Sequence, residues 1–128
     1  MDAASALADL TGISSQIESA AVLSADGTVV ASTLDDAARS ERLAGAARDL
    51  LAGGDEIAVE RTLTRLEAAL RSGSVFVLRD GARTIVATTT PAPTSGLVFH
   101  DLQACLSAIP EKPKPKPRRR TKKAPADA

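Results

Sequence analysis

Apolar positions in this chain change period several times, and each change marks an element. Over residues 3 to 11, "AASALADLT", Ala3, Ala6, Leu7 and Leu10 fall at helical spacing, and Gly12 stands where a left-handed cap would end the helix. "IESAAVLSADGTVVAST" then gives two β-branched runs around Asp26-Gly27, a dipeptide suited to the positive φ angles of a tight hairpin. The pattern predicts strands near 17–24 and 28–33. Thr33, Asp35 and Asp36 supply a helix start, with a side-chain oxygen for the free amides and negative charge in the first turn. Leu43, Ala46, Ala47, Leu50 and Leu51 follow at i, i+3, i+4, i+7 and i+8, and Gly53-Gly54 reads as the stop.

The second half alternates differently. "RLEAALR", residues 65 to 71, puts Leu66, Ala68 and Leu70 on one face and charged residues on the other, as an edge strand would. "SVFVLRD" and "RTIVATT", joined through another Asp-Gly, are apolar on both faces and belong in the middle of a sheet. After the Pro91/Pro93 loop, with Ser95 as a candidate cap, Leu102, Cys105, Leu106 and Ile109 mark a last helix. The order α-β-β-α-β-β-β-α, with central strands apolar on both faces, predicts an α+β sandwich: one five-stranded antiparallel sheet with helices on both faces.

Charge divides the chain into two parts. The whole carries 16 basic and 16 acidic residues. Residues 1–110 hold eight Arg, no Lys and fourteen acids, a net charge of −6. Residues 111–128 hold eight bases against two acids, a net charge of +6. This predicts one domain over 1–110 and a basic tail over 111–128. The tail, "EKPKPKPRRRTKK" followed by "APADA", is too polar and charged to fold on its own. Its Lys-Pro steps exclude a helix or a paired strand and favour extended polyproline II. Lys112, Lys114, Lys116, Arg118, Arg119, Arg120, Lys122 and Lys123 form a candidate anion-binding set. Nucleic-acid contact through them would be salt-dependent and sequence-blind. Phe76 and Phe99 are the only aromatics, both in apolar runs, so no stacking platform for bases is evident. A third reading lays the basic tail on the acidic body.

Catalytic chemistry finds little support. His100 is the only histidine, and although Ser95 and Asp101 would complete a triad on paper, no nucleophile-elbow sequence accompanies them. Cys105 is the only cysteine and lies on an apolar stripe, which excludes an internal disulfide and favours a core role. No phosphate-binding glycine loop of the GxxxxGK[ST] type occurs. No cofactor or metal is expected. The N-terminus lacks the pattern of a signal peptide, and no apolar run is long enough to span a membrane, so a cytoplasmic protein is the expectation.

"AAVLSADGTVVAST", "GSVFVLRDG", "TIVATT" and "PTSGLVFHDL" together resemble the Roadblock/LC7 family, over about residues 3 to 109, and its short bacterial MglB-like members most of all. The resemblance implies a profilin-like fold and a dimer in which the long second helices pair, here residues 34–52, and the sheets meet at the third strand, here 62–71. It also implies a non-enzymatic scaffold that binds a Ras-like small GTPase and in some members stimulates it. The surface so marked contains Arg39, Arg42, Ala46, Arg48, Asp49, Leu66, Ala68 and Leu70. For the arginines two readings stand at this point, a solvated face or a partner surface.

Overall fold

The computed structural model describes residues 1–58, 60 and 62–110. The elements follow in the order α1 (Ala3–Ile13), β1 (Ile17–Leu23), β2 (Val29–Ser32), α2 (Ala37–Ile57), β3 (Arg65–Leu70), β4 (Gly73–Asp80), β5 (Arg83–Thr89) and α3 (Ser95–Ala108). All strand pairs are antiparallel, and the spatial order is β2-β1-β5-β4-β3. The strands expected to be central are central, and "RLEAALR" is an edge. The basic tail lies outside the described residues.

Period-two alternation sends successive side chains of the sheet into two separate cores. Ala20, Val22, Phe76, Leu78, Ile85 and Ala87 point to the layer where α1 and α3 pack, closing on Leu7, Leu10, Val98, Leu102, Cys105 and Leu106. Ala21, Leu23, Val77 and Val86 point to the opposite face, where α2 is the only helix among the described residues and contributes Leu43, Ala44, Ala47 and Leu51. Two helices therefore cover one face and a single helix covers the other.

Several element ends differ from the sequence pattern. Gly12 lies within α1, which continues to Ile13. Ser14 closes the helix with φ −98°, and Asp2 caps its start by accepting the Ser5 N–H at 2.8 Å. Thr33 is no helix cap, because its hydroxyl accepts the Ala20 N–H and ties β2 to β1; Asp36 caps α2 by accepting the Ala38 N–H. Gly53-Gly54 does not stop α2, which runs on to Ile57. A Cβ on Gly54 would collide with the Leu63 side chain and crowd Leu66, so this glycine lets the helix pass close to the chain entering β3. Tertiary packing here outweighs helix propensity. At α3 the cap position belongs to Thr94, and the Ser95 hydroxyl, already inside the helix, donates to Glu67 on β3 at 3.0 Å. Ala46, placed on the apolar stripe by spacing, is exposed; Ser40 and Ala44 are buried in its stead.

Two arginines pin loops to the scaffold. Arg79 of β4 makes a two-pronged contact to Asp55 of α2, at 2.7 and 3.2 Å, and its Nε donates to the Leu63 carbonyl at 3.0 Å. The Arg79 amide donates to Thr64 O, so one residue fixes both the end of α2 and the start of β3. Arg48 of α2 donates to the Gly27 carbonyl at 2.8 Å and pairs with Glu41. Gly27 has φ +86°, and a Cβ there would lie 2.6 Å from Arg48 Cδ, so the hairpin needs glycine for both angle and space.

The same hairpin contains a pH-sensitive group. The Asp26 carboxylate accepts from the Ser24 hydroxyl at 2.5 Å and the Thr28 amide at 3.1 Å. Chiefly through these hydrogen bonds, from Ser24 first, its pKa is lowered to about 2. A depressed carboxylate pKa contributes stability that is present above its ordinary value, near ~4, and is lost as pH falls through the folded value. The expected outcome for Asp26→Asn is a lower melting temperature than wild type at pH 7, with the gap narrowing as pH falls from about 4 to about 2. Thermal unfolding followed by far-ultraviolet circular dichroism checks this, and a gap independent of pH would contradict it.

Candidate functional site

The residues marked by the sequence fall on α2 and on the side of β3 that faces it. Arg39, Arg42, Ala46 and Asp49 are all exposed along the outer face of α2, where residues three and four apart fall in line. Gly45 and Leu50 flank them half-buried, and Ile57 at the end of the helix is 85% exposed. The line is narrow in bulk at its middle and charged on either side.

Arg48 differs from its neighbours. Its guanidinium is turned back onto Gly27 and Glu41, so it holds the β1–β2 turn against α2. Together with Arg79, Asp55, Asp26 and Leu51 it lines an open cleft of about 560 Å³ between the two tight turns and α2. Hydrogen bonding to Arg79 keeps the Asp55 carboxyl below the usual carboxylate range and raises the guanidinium in turn. Both arginines of the cleft are thus engaged in contacts that hold the fold.

At the sheet margin, Leu66, Ala68 and Leu70 share the α2 face of β3. Leu66 packs against the α2 core, Ala68 is half-buried and Leu70 is 61% exposed. The opposite face of β3 is closed by α3: Arg65 lies over the Phe99 ring at 5.3 Å, Phe99 meets Phe76 edge-on at 5.0 Å, and Glu67 accepts from Ser95. Among the described residues β3 pairs with β4 along one side only. Its far side offers backbone N–H and C=O groups to a further strand.

Residues considered for chemistry are scattered. His100 is exposed on α3, and the Ser95 hydroxyl that a triad would need is committed to Glu67. Cys105 is buried between α1 and α3, and burial pushes its thiol up to about 11. Among the described residues, no three His, Cys, Asp or Glu side chains gather as a metal site. No described helix is long and apolar enough to cross a membrane. Lys112, Lys114, Lys116, Arg118, Arg119, Arg120, Lys122 and Lys123 lie outside the described residues. The structural parts of Arg79 and Arg48 escaped sequence reasoning, since a lone arginine in a strand or helix carries no sign of the carbonyl it will meet.

No family model matches the sequence, and no curated protein matches it. Solved structures do. The Roadblock/LC7 domain from Streptomyces avermitilis matches with a TM-score of 0.76 at 16% identity, over 84% of this chain and 94% of that one. The gliding protein MglB from Thermus thermophilus gives 0.69 at 15% identity, over 84% of each chain. MglB in a tetrameric arrangement gives 0.64 at 13% identity, again over 84% of each. Identities this low speak for architecture, and with the element order and five-stranded antiparallel sheet they establish that this chain has the Roadblock/LC7 fold.

Proposed function

We propose that this protein is a non-enzymatic homodimeric scaffold whose joined α2 helices present a surface to a Ras-like small GTPase. The observation that carries the reading is the unequal cover of the sheet. Among the described residues α2 alone serves one face, leaving Leu66, Ala68 and Leu70 beside a strand edge that no other described strand pairs. A second copy brought against this region by a two-fold axis would add a helix and join the sheets edge to edge. The similarity to MglB in a tetrameric arrangement supports association between copies.

Charge along α2 selects the arrangement of the helices. An antiparallel pair centred between Gly45 and Ala46 sets Arg42 of each protomer opposite Asp49 of the other, with the small residues at the crossing. A parallel pair would set Arg42 against Arg42. The antiparallel dimer is therefore electrostatically matched, each exposed ion pair adding about 0.2–1 kcal/mol. Arg39, one turn before this contact, remains at the rim for an acidic partner, and arginine suits carboxylate recognition.

Sedimentation equilibrium of the full chain tests the dimer. Arg42→Asp and Asp49→Arg should each weaken self-association by about tenfold, equivalent to ~1.4 kcal/mol, and the double swap should recover most of it. A double variant no tighter than either single variant would refute the register. The partner is tested separately, with the protein as bait and recovered Ras-like proteins assayed for GTP hydrolysis in its presence. Capture of the GTP form, reduced by Arg39→Glu while the dimer weight is unchanged, is the expected result. Salt-sensitive capture of nucleic acid with no nucleotide-dependent partner would refute the GTPase reading.

A further inference from the structure

The opposite margin of the sheet has an open edge too. Among the described residues β2 pairs with β1 alone, and Val30, 57% exposed, stands on it. Val30 also lines an apolar groove of about 410 Å³ with Ala3, Val22, Ala82, Ile109 and Pro110. Arg83 donates to the Ile109 carbonyl at 2.6 Å, anchoring the end of α3 there. The last described residue is thus a wall of the groove that opens onto β2, and eighteen further residues start from it.

Charge and length favour those residues as the occupant. β2 is bracketed by exposed carboxylates, Asp26 in the turn before it and Asp35 and Asp36 after it. The eight positions from Pro110 to Arg118 span about 25 Å at ~3.1 Å per residue, and the five from Val30 to Asp35 about 17 Å at ~3.3 Å. A chain leaving the groove alongside β2 therefore passes the whole strand: Lys116, at about 19 Å, falls level with Asp35 and Asp36, and Arg118 follows about 6 Å beyond, within reach of a long guanidinium side chain. The body's net charge of −6 and the tail's of +6 act in the same sense.

The backbone chemistry of "KPKPKP" fits an outermost strand. In an extended chain, alternate residues turn their N–H and C=O groups to the same side. With Pro113, Pro115 and Pro117 at every second position, the amides of Lys112, Lys114 and Lys116 all face one way and no proline N–H faces the other. Such a segment has no place inside a sheet, because the three prolines exclude a strand paired on both sides; only along the side to which the lysine amides turn can it pair, and it ends the sheet there. We propose that residues 112–118 dock in this way on β2 of the same chain, running parallel to it, with Arg118 reaching Asp35 and Asp36. The segment then seals the β2 edge against other chains, and β3 is left as the edge open to a second copy. This inference stands whether or not the GTPase reading does.

A nitroxide on Lys116→Cys in the full chain tests the proposal, since buried Cys105 leaves the new thiol as the reactive one. In low salt, amides from Val30 to Asp36 should lose most of their peak intensity relative to the reduced label, while those of Arg65–Leu70 keep theirs. Salt at about 0.5 M, which shortens electrostatic reach to a few Å, should restore the signals, as should Asp35→Lys. Isotope-labelled chains mixed with spin-labelled unlabelled ones should show no broadening. Broadening centred on α2 or β3, no localised broadening, or broadening in the mixed sample would overturn the proposal, the last by placing the tail on another copy.

Discussion

Every strand in the middle of this sheet is apolar on two faces, and the described residues supply three helices with which to cover them. That constraint shapes the rest. α1 and α3 together close the face holding Phe76, Ile85 and Leu78, whose side chains are almost fully buried. α2 must serve the other face alone. It reaches Leu23, Val77 and Val86 but leaves the β3 margin with a largely exposed leucine. Burial of apolar area contributes about 25 cal/mol per Å², so a surface of this kind gains by meeting another, and the sheet's own geometry determines where.

The long α2 is useful in this scheme because its far end is held. Arg79 joins Asp55 to the chain entering β3, and Gly54 lets Leu63 and Leu66 approach the helix. At the near end, the Ser40 hydroxyl donates to Ser32 on β2, and Arg48 grips the β1–β2 turn. The outer face of α2 is thus fixed relative to both edges of the sheet. Arg39, Arg42 and Asp49 stand on a supported element, whereas Arg48, adjacent in sequence, faces inward to support it.

What the sequence revealed follows the reach of its signals. The apolar pattern placed β4 and β5 inside the sheet and β3 at its edge, because burial on one or two faces acts on every residue of a strand; that β1 is also interior was not marked. Asp26-Gly27 marked its turn because few dipeptides accept the backbone angles there. Helix ends were less legible. Gly12 and Gly53-Gly54 looked like stops, yet both helices run past them, and the place of Gly54 is set by Leu63 and Leu66, which lie beyond the helix. The candidate surface was legible as a region and much less so by residue. An exposed side chain and one that grips a turn can both be a lone arginine at helical spacing, and the contacts to the Gly27 carbonyl and Glu41 are what separate Arg48 from Arg42.

The central claim is that the α2 face and the β3 edge are completed by a second copy. Hydrogen exchange of the full-length protein, read at the amides of β3 across a range of protein concentrations, addresses it most directly. Outward-facing amides of Arg65–Leu70 should exchange freely in dilute solution and become protected as concentration rises, with α2 amides unchanged because their bonds lie within the helix. Exchange at β3 that stays fast at every concentration, while the protein sediments as a dimer, would place the contact elsewhere and contradict the account.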